Sequence, residues 1–481
     1  MATLPYFILG PSTVLSALGL VRGSDPTIPT PAEDWRTAKV DVIIPSLNEQ
    51  ENIALALASV VRQTLKPRRI ILVDDGSTDQ TVDIAEAYCA SHDIDIVTIR
   101  RRKPIGKTPT IKRQARELDS DVEFILDADT VLESSNYIER TVQELYQAVG
   151  IASACGTILP LGRRHRREWT ESPEIQGFSR PDPQDESPLA RKLVRSFARG
   201  ATNLYREVLY LFLQRFVYHG QMVFFGTTSN PVGCAVAYRR KYVAALFDYY
   251  TPILGDDLTN SEDIFIGLAL LHEGYRNVQV TDVRARTVEP PIHRLPRQVY
   301  LWSSAFLQSC YYFDPLVKSP FRVFTRVLGP DVKAASGTSP AASDTPTTAA
   351  SVDRAASRRA GERRRVREPY RQAFGRQRTL QFGRPAGWML MMSAIEKVFF
   401  PTALLIMILL GNWQGLALTV TIETLIGVAV LAVLMKGQRL EYIGKGLAVA
   451  PLRYALMTSE LITLGRFATD LWFTKNRSWR K

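Results

Sequence analysis

Apolar and polar positions alternate in blocks through the first third of the chain. Val40-Asp41-Val42-Ile43-Ile44-Pro45 reads as a buried strand that stops at proline. Ser46-Leu47-Asn48-Glu49 is a loop, and residues 53–63 carry helical spacing. Arg69-Ile70-Ile71-Leu72-Val73 is a second strand and runs into Asp74-Asp75-Gly76-Ser77-Thr78-Asp79. Thr78 or Asp79 is placed to cap a helix over residues 80–91. Residues 94–99 predict a third strand, and residues 123–126 a fourth. The βαβαβ order argues for an open parallel sheet, in which ligands sit beyond the carboxyl ends of the strands. The polar motifs named so far all fall on those ends.

Further along, the pattern changes character. Residues 162–185 are polar, with Pro and Arg clusters, and read as an exposed insertion; residues 204–216 are amphipathic and aromatic, suited to core packing. Residues 334–357 are rich in Ala, Ser, Thr and Pro, which predicts a disordered linker, and 358–367 are heavily basic. Such a run is either a solvated tail or attracted to anionic lipid, worth roughly 1 kcal/mol per basic residue near a membrane. Residues 388–410 and 415–435 are each long enough to cross a bilayer, and the short Gly411-Asn412-Trp413 turn makes them antiparallel neighbours. Glu423 lies inside the second and is expected to face protein or water. A third segment, 442–471, carries Lys445, Arg453, Glu460 and Arg466; it could line a polar conduit, span obliquely or lie in the interface. At the other end, residues 5–21 predict a membrane-embedded or interfacial helix, followed by a Pro/Thr-rich linker over 24–33.

The chain has 481 residues, enough for two or three domains, and Lys plus Arg outnumber Asp plus Glu by 60 to 48 for a net charge of +12. A basic balance beside long apolar runs points to an anionic membrane surface or anionic substrates. No nucleic-acid module is recognisable. Cys89, Cys155, Cys234 and Cys310 are far apart and fit reduced thiols rather than a disulfide framework or a metal cage.

The candidate chemistry centres on Phe124-Ile125-Leu126-Asp127-Ala128-Asp129-Thr130. Asp127 and Asp129 follow the end of a buried strand, so both can reach one divalent cation. Hard oxygen ligands suit Mg2+ or Mn2+, which keep positions for phosphate oxygens.

These residues resemble the family 2 glycosyltransferases with a GT-A nucleotide-sugar fold. The resemblance rests on Ile43-Ile44-Pro45-Ser46-Leu47-Asn48-Glu49, Val73-Asp74-Asp75-Gly76-Ser77-Thr78-Asp79, Gly106-Lys107 and Asp127-Ala128-Asp129. It implies that the first two segments, through Pro45, Asn48, Glu49, Asp74 and Asp75, hold the uridine end of a UDP-sugar. It implies that Gly106 and Lys107 line the nucleotide pocket and that Asp127 and Asp129 hold the metal on the diphosphate. Residues 229–240, Ser-Asn-Pro-Val-Gly-Cys-Ala-Val-Ala-Tyr-Arg-Arg, resemble the acceptor-contacting strand of hyaluronan, chitin and cellulose synthases, with Asn230 in place of the usual Gly. Ser261-Glu262-Asp263-Ile264 is similar to the motif whose Asp is the catalytic base, which makes Glu262 and Asp263 the catalytic candidates. Gln298-Val299-Tyr300-Leu301-Trp302 matches the Gln-x-x-Arg-Trp motif at Gln298 and Trp302 and departs at Leu301. The resemblance assigns Trp302 to acceptor stacking, with Arg297 or Arg294 the nearby cations for the missing Arg. The tail 472–481, with Trp479 and Arg480, resembles a gating loop that closes over the nucleotide.

The resemblance covers about residues 40–313, and the membrane part in layout only. The expected fold is α/β: a GT-A domain with a mixed, mainly parallel sheet, interfacial helices and a C-terminal transmembrane region. The expected domains are an N-terminal membrane helix and linker (1–35), the catalytic domain (36–295), interfacial helices (296–333), a disordered basic linker (334–379) and transmembrane helices with the tail (380–481). The expected function is inverting transfer from a UDP-sugar to a growing β-linked polysaccharide, with Mg2+ or Mn2+, coupled to secretion. The alternatives are transfer of one sugar to a lipid carrier, or an inactive membrane scaffold. Membrane lipids are expected partners, and a homo-oligomer is compatible. The expected location is a multi-pass protein of the cell membrane with its catalytic domain in the cytosol, where bacterial nucleotide sugars are; the basic residues flanking the apolar pair do not by themselves fix its orientation.

Overall fold

The computed structural model describes residues 10–22, 33–147, 150–175, 178, 189–254, 261–321 and 385–474. The expected linker over 334–379 and the tail residues Trp479 and Arg480 lie outside the described residues.

One eight-stranded sheet organises the catalytic region. Its strands are β1 (Val40–Ser46), β2 (Arg69–Asp74), β3 (Ile96–Arg100), β4 (Val122–Leu126), β5 (Thr130–Leu132), β6 (Ile151–Pro160), β7 (Ala235–Arg239) and β8 (Arg276–Thr287), in the order β3-β2-β1-β4-β7-β6-β8-β5. The β3-β2-β1-β4 half is parallel, as the βαβαβ pattern predicts. Then β7 enters antiparallel to both β4 and β6, and β5 closes the far edge antiparallel to β8. With β6 parallel to β8, the sheet is mixed and mainly parallel, as expected for the GT-A domain.

Strands buried on both faces need continuous apolar runs, and β1 supplies one. Val40, Val42 and Ile44 enter the core on one face, while Ile43 enters the core on the other. Strand β4 divides in the same way, Phe124 and Leu126 against Ile125. The first face is covered by α2 (Ile53–Val61), α3 (Thr81–Ser91) and α5 (Tyr137–Gln147). The second is covered by α4 (Lys107–Glu117), α9 (Arg240–Leu254) and α10 (Glu262–His272). Each fully buried Ile, Leu or Phe stabilises the fold by roughly 1.5–3 kcal/mol. Gln80, not Thr78 or Asp79, holds the N-cap position of α3, and Asp79 Oδ1 accepts from the Thr81 amide at 3.0 Å from just ahead of it.

The segment read as an exposed insertion is partly folded into the core. It forms α6 (Arg163–Thr170), which buries Trp169, and Ile175 joins the same cluster. One indole outweighs the surrounding arginines because its large apolar area repays burial. Next come α7 (Leu189–Phe212), a π-helical turn over Leu213–Val217, and α8 (Tyr218–Phe225).

Helices α11 (Leu295–Tyr312) and α12 (Asp314–Val317) follow the sheet, and then three long helices: α13 (Pro385–Leu409), α14 (Trp413–Leu434) and α15 (Arg439–Thr469). By length and composition, each of the three can cross a membrane. The N-terminal helix α1 (Pro11–Arg22) has 12 residues, too few to span. It packs on α8, where Gly19 and Ser16 meet Gly220, and its Ser12 amide donates to the Glu396 carboxylate of α13 at 2.6 Å.

Candidate active site

The carboxyl ends of β1, β2 and β4 deliver their loops to one edge of the sheet. Because β7 runs the other way, its N-terminal end arrives there too, and the Asp127 amide donates to the Cys234 carbonyl at 2.8 Å. Helix α10 starts at the same edge. It lies close enough to the Ser229–Cys234 segment that a Cβ on Gly267 would fall 2.7 Å from Asn230 Cα.

Lys107 is the hub. Gly106, with a φ of 98°, turns the chain into α4, so that Lys107 opens that helix. Its Nζ lies 2.6 Å from Asp127 Oδ1 and 2.7 Å from Glu262 Oε1, and donates to the Gly233 carbonyl at 3.1 Å. Burial disfavours the ammonium, but the Asp127 and Glu262 charges outweigh it and hold the Lys107 pKa well above its ordinary value. Asp263 accepts from the Gly233 amide at 3.2 Å and from its own neighbour's amide, Ile264, at 2.9 Å. Burial and the adjacent Glu262 push its carboxyl up to about 7. Asp127 and the consecutive pair Glu262–Asp263, far from it in sequence, are thus joined through Lys107 and Gly233.

Asp129 borders the same cluster. Its Oδ1 accepts from Thr130 Oγ1 at 3.2 Å and Thr287 Oγ1 at 3.3 Å. Burial, then Asp127 and Glu49, push it up to about 7. Glu49 is raised by burial, with Asp127 and Asp79 adding to it, and accepts from Asn52 Nδ2 at 2.7 Å. Among the described residues no three His, Cys, Asp or Glu side chains form a ready-made metal cage. The Asp127–Asp129 pair nevertheless fits a hard divalent ion. It is oxygen-only and crowded with negative charge, the donor chemistry that such an ion takes.

The residues expected around the nucleotide are placed as follows. Pro45 ends β1 half-buried, and Asn48, at a φ of 57°, is exposed and accepts from the Thr78 amide at 2.8 Å. Asp74 accepts from the Ser77 amide at 3.1 Å. Asp75 is committed to the protein itself: it takes Arg101 Nη1 at 2.9 Å, the Ile105 amide at 2.9 Å and the Gly106 amide at 2.7 Å. In this structure it holds the turn that presents Lys107.

Beyond Asp263 opens a cavity of about 590 Å3. Asp263, Trp302, Tyr210 and Asn230 are among its lining residues, as are Glu423, Arg453, Lys397 and Glu460 from the three long helices. Arg453 and Tyr454 bind Glu423, the latter at 2.5 Å, and Lys397 lies 3.2 Å from Glu460. Arg294 and Arg297 are exposed, whereas the guanidinium at Gln298 and Trp302 belongs to Arg206 of α7. Sequence spacing gave no sign of that residue, since 92 positions separate it from Gln298.

Residues 41–247 match the family described as glycosyl transferase family 2. Strands β2 to β7 of the sheet built above, together with Asp127 and Asp129, lie inside the matched region, and the fold is a GT-A-like α/β domain. The domain is 24% identical over 140 residues to the undecaprenyl-phosphate 4-deoxy-4-formamido-L-arabinose transferase of Yersinia enterocolitica, covering 28% of this chain and 40% of that protein. It is 27% identical over 223 residues to the O-antigen chain rhamnosyltransferase RfbN of Salmonella typhimurium, covering 44% of this chain and 68% of that one. The chain thus spans less than half the length of the Yersinia protein. Among solved structures, the mannosyltransferase PcManGT from Pyrobaculum calidifontis, in complex with GDP-Man and Mn2+, aligns with 96% of this chain and 95% of its own at 14% identity and a TM-score of 0.48.

Proposed function

We propose that this glycosyltransferase moves a sugar, with inversion, from a UDP-sugar to a hydroxyl of a β-linked saccharide held between the catalytic domain and the membrane helices. The observation that carries the reading is a single cavity lined both by Asp263 and by residues of α13, α14 and α15. The acceptor oxygen attacks the anomeric carbon, Asp263 takes its proton, and the bond from that carbon to the diphosphate breaks with its electron pair leaving on UDP. The raised pKa of Asp263 suits it to receive that proton near neutrality. Glu262 acts through Lys107, and Glu49, Asn48 and Asp74 border the uridine end. Asp127 and Asp129 would hold Mg2+ or Mn2+, which supplies positive charge to the leaving diphosphate. The domain works on the cytosolic side of the membrane, with the polymer leaving through the helices.

A second reading, one sugar placed on a lipid phosphate, is favoured by the name of the Yersinia relative. The cavity's charges favour the first. Lys397 is paired with Glu460, Arg453 with Glu423 and Arg206 with Glu289, so no cation is left over for a phosphate among these three. A neutral polyhydroxyl chain, by contrast, suits aromatic walls and paired polar groups.

The test is UDP release in nanodiscs with Mn2+ and a donor panel that includes GDP-mannose, followed by product sizing. We expect polymer from wild type. Asp263→Asn should lower transfer by about a thousandfold while UDP affinity stays within twofold. A single-sugar lipid product would establish the second reading, and full turnover by Asp263→Asn would remove the base.

A further inference from the structure

We infer that Arg206 is a positioning residue for the acceptor platform, fixing Trp302 and Gln298 of α11 from a different helix. The inference rests on the reading that a saccharide lies against Trp302. The guanidinium carbon of Arg206 sits 4.5 Å from the Trp302 ring centroid, and its Nη2 donates to Gln298 Oε1. Its Nε lies 3.4 Å from Glu289 Oε2, in the segment that joins β8 to α11. Tyr205 and Tyr210 flank it, at 5.7 and 5.8 Å from their centroids.

Arg206 is wholly buried, whereas the indole that it covers keeps part of its surface in the cavity. A buried guanidinium is costly unless it is paired, so Glu289 and Arg206 specify each other. A planar cation against an indole also restricts the ring's rotation, and a desolvated contact of this kind is the strong form. The geometry therefore ties three elements, α7, the β8–α11 segment and α11, in the wall of the cavity that Asp263 also lines. Orientation of an acceptor hydroxyl depends on such a fixed platform.

The experiment uses the full-length protein in nanodiscs, with UDP plus Mn2+ and with cellotetraose, chitotetraose and laminaritetraose as probes. Arg206→Gln is paired with the double variant Arg206→Gln/Glu289→Gln, which does not strand the Glu289 carboxylate. Trp302→Ala is combined with each. Binding is read by calorimetry, and acceptor KM by UDP release. We expect the double variant to weaken the preferred oligosaccharide at least tenfold, with UDP affinity within twofold of wild type. Adding Trp302→Ala should cost no more than Trp302→Ala alone, because the two act as one unit. Unchanged oligosaccharide binding, an equal loss of UDP affinity, fully additive losses, or a wild type that binds no oligosaccharide would each overturn the inference. Wild type that binds oligosaccharide but releases UDP from no donor would sink the functional reading while still deciding the role of Arg206.

Discussion

Glu123 shows how much a single side chain can carry. It lies in β4 beside Asp41 of β1, fully buried, and neither carboxylate oxygen has a hydrogen-bond partner among the described residues. Burial, opposed by Arg240 and reinforced by Asp41, pushes its pKa up from 4.5 to about 8. The folded state therefore holds this proton where the unfolded chain releases it. Stability is undiminished below the unfolded value and falls as pH rises through the folded one, by at most about 5 kcal/mol at 1.36 kcal/mol per pH unit. Melting temperatures should fall between pH 5 and pH 8.5 in wild type and clearly less in Glu123→Gln; parallel declines would refute the assignment. At this scale the acidic edge was legible in the sequence, because Glu49, Asp127 and Asp129 follow buried strands and so must share one side of the sheet. Arg206 was not legible. Its partners are set by how α7 crosses α11, and no local spacing encodes that crossing.

Elements are positioned by what cannot fit between them. Gly233 leaves the space in which the Asp263 side chain lies, and a Cβ there would stand 2.8 Å from Asp263 Cβ. Gly233→Ala must therefore displace the N-terminus of α10. We expect transfer to fall about a hundredfold, in line with a misplacement near 1 Å, while UDP affinity changes less than threefold. Retained transfer would show that α10 yields without consequence. The parallel half of the sheet could be read from its alternation of apolar runs and helices. The reversal at β7 could not, because a strand's direction is fixed by its partners and not by its own residues. The Arg-rich stretch containing α6 misled for a related reason: its charge hid the one indole that anchors it.

Across the whole molecule, the long helices carry charges that only make sense in pairs. Removing Arg453 takes away the cation beside Glu423 in α14 and leaves the Tyr454 hydroxyl as its remaining named partner. Arg453→Met should lower thermal stability in detergent, by less than the roughly 3–5 kcal/mol of a fully buried pair, since both side chains keep some exposed surface. Adding Glu423→Gln should recover at least half of the loss; a double variant no better than the single would show that the pair is not the cause. Hydropathy alone revealed the first two of these helices and left the third open, and the contact of α15 with α7, through Lys445 and Tyr442 on Glu207, needed coordinates. The same interdependence recurs in miniature at Lys107, whose one ammonium touches both Asp127 and Glu262. Whatever alters the electric field at Asp127 is passed to Glu262 across a few ångströms. Two distant stretches of the chain can therefore sense one another with no helix having to move.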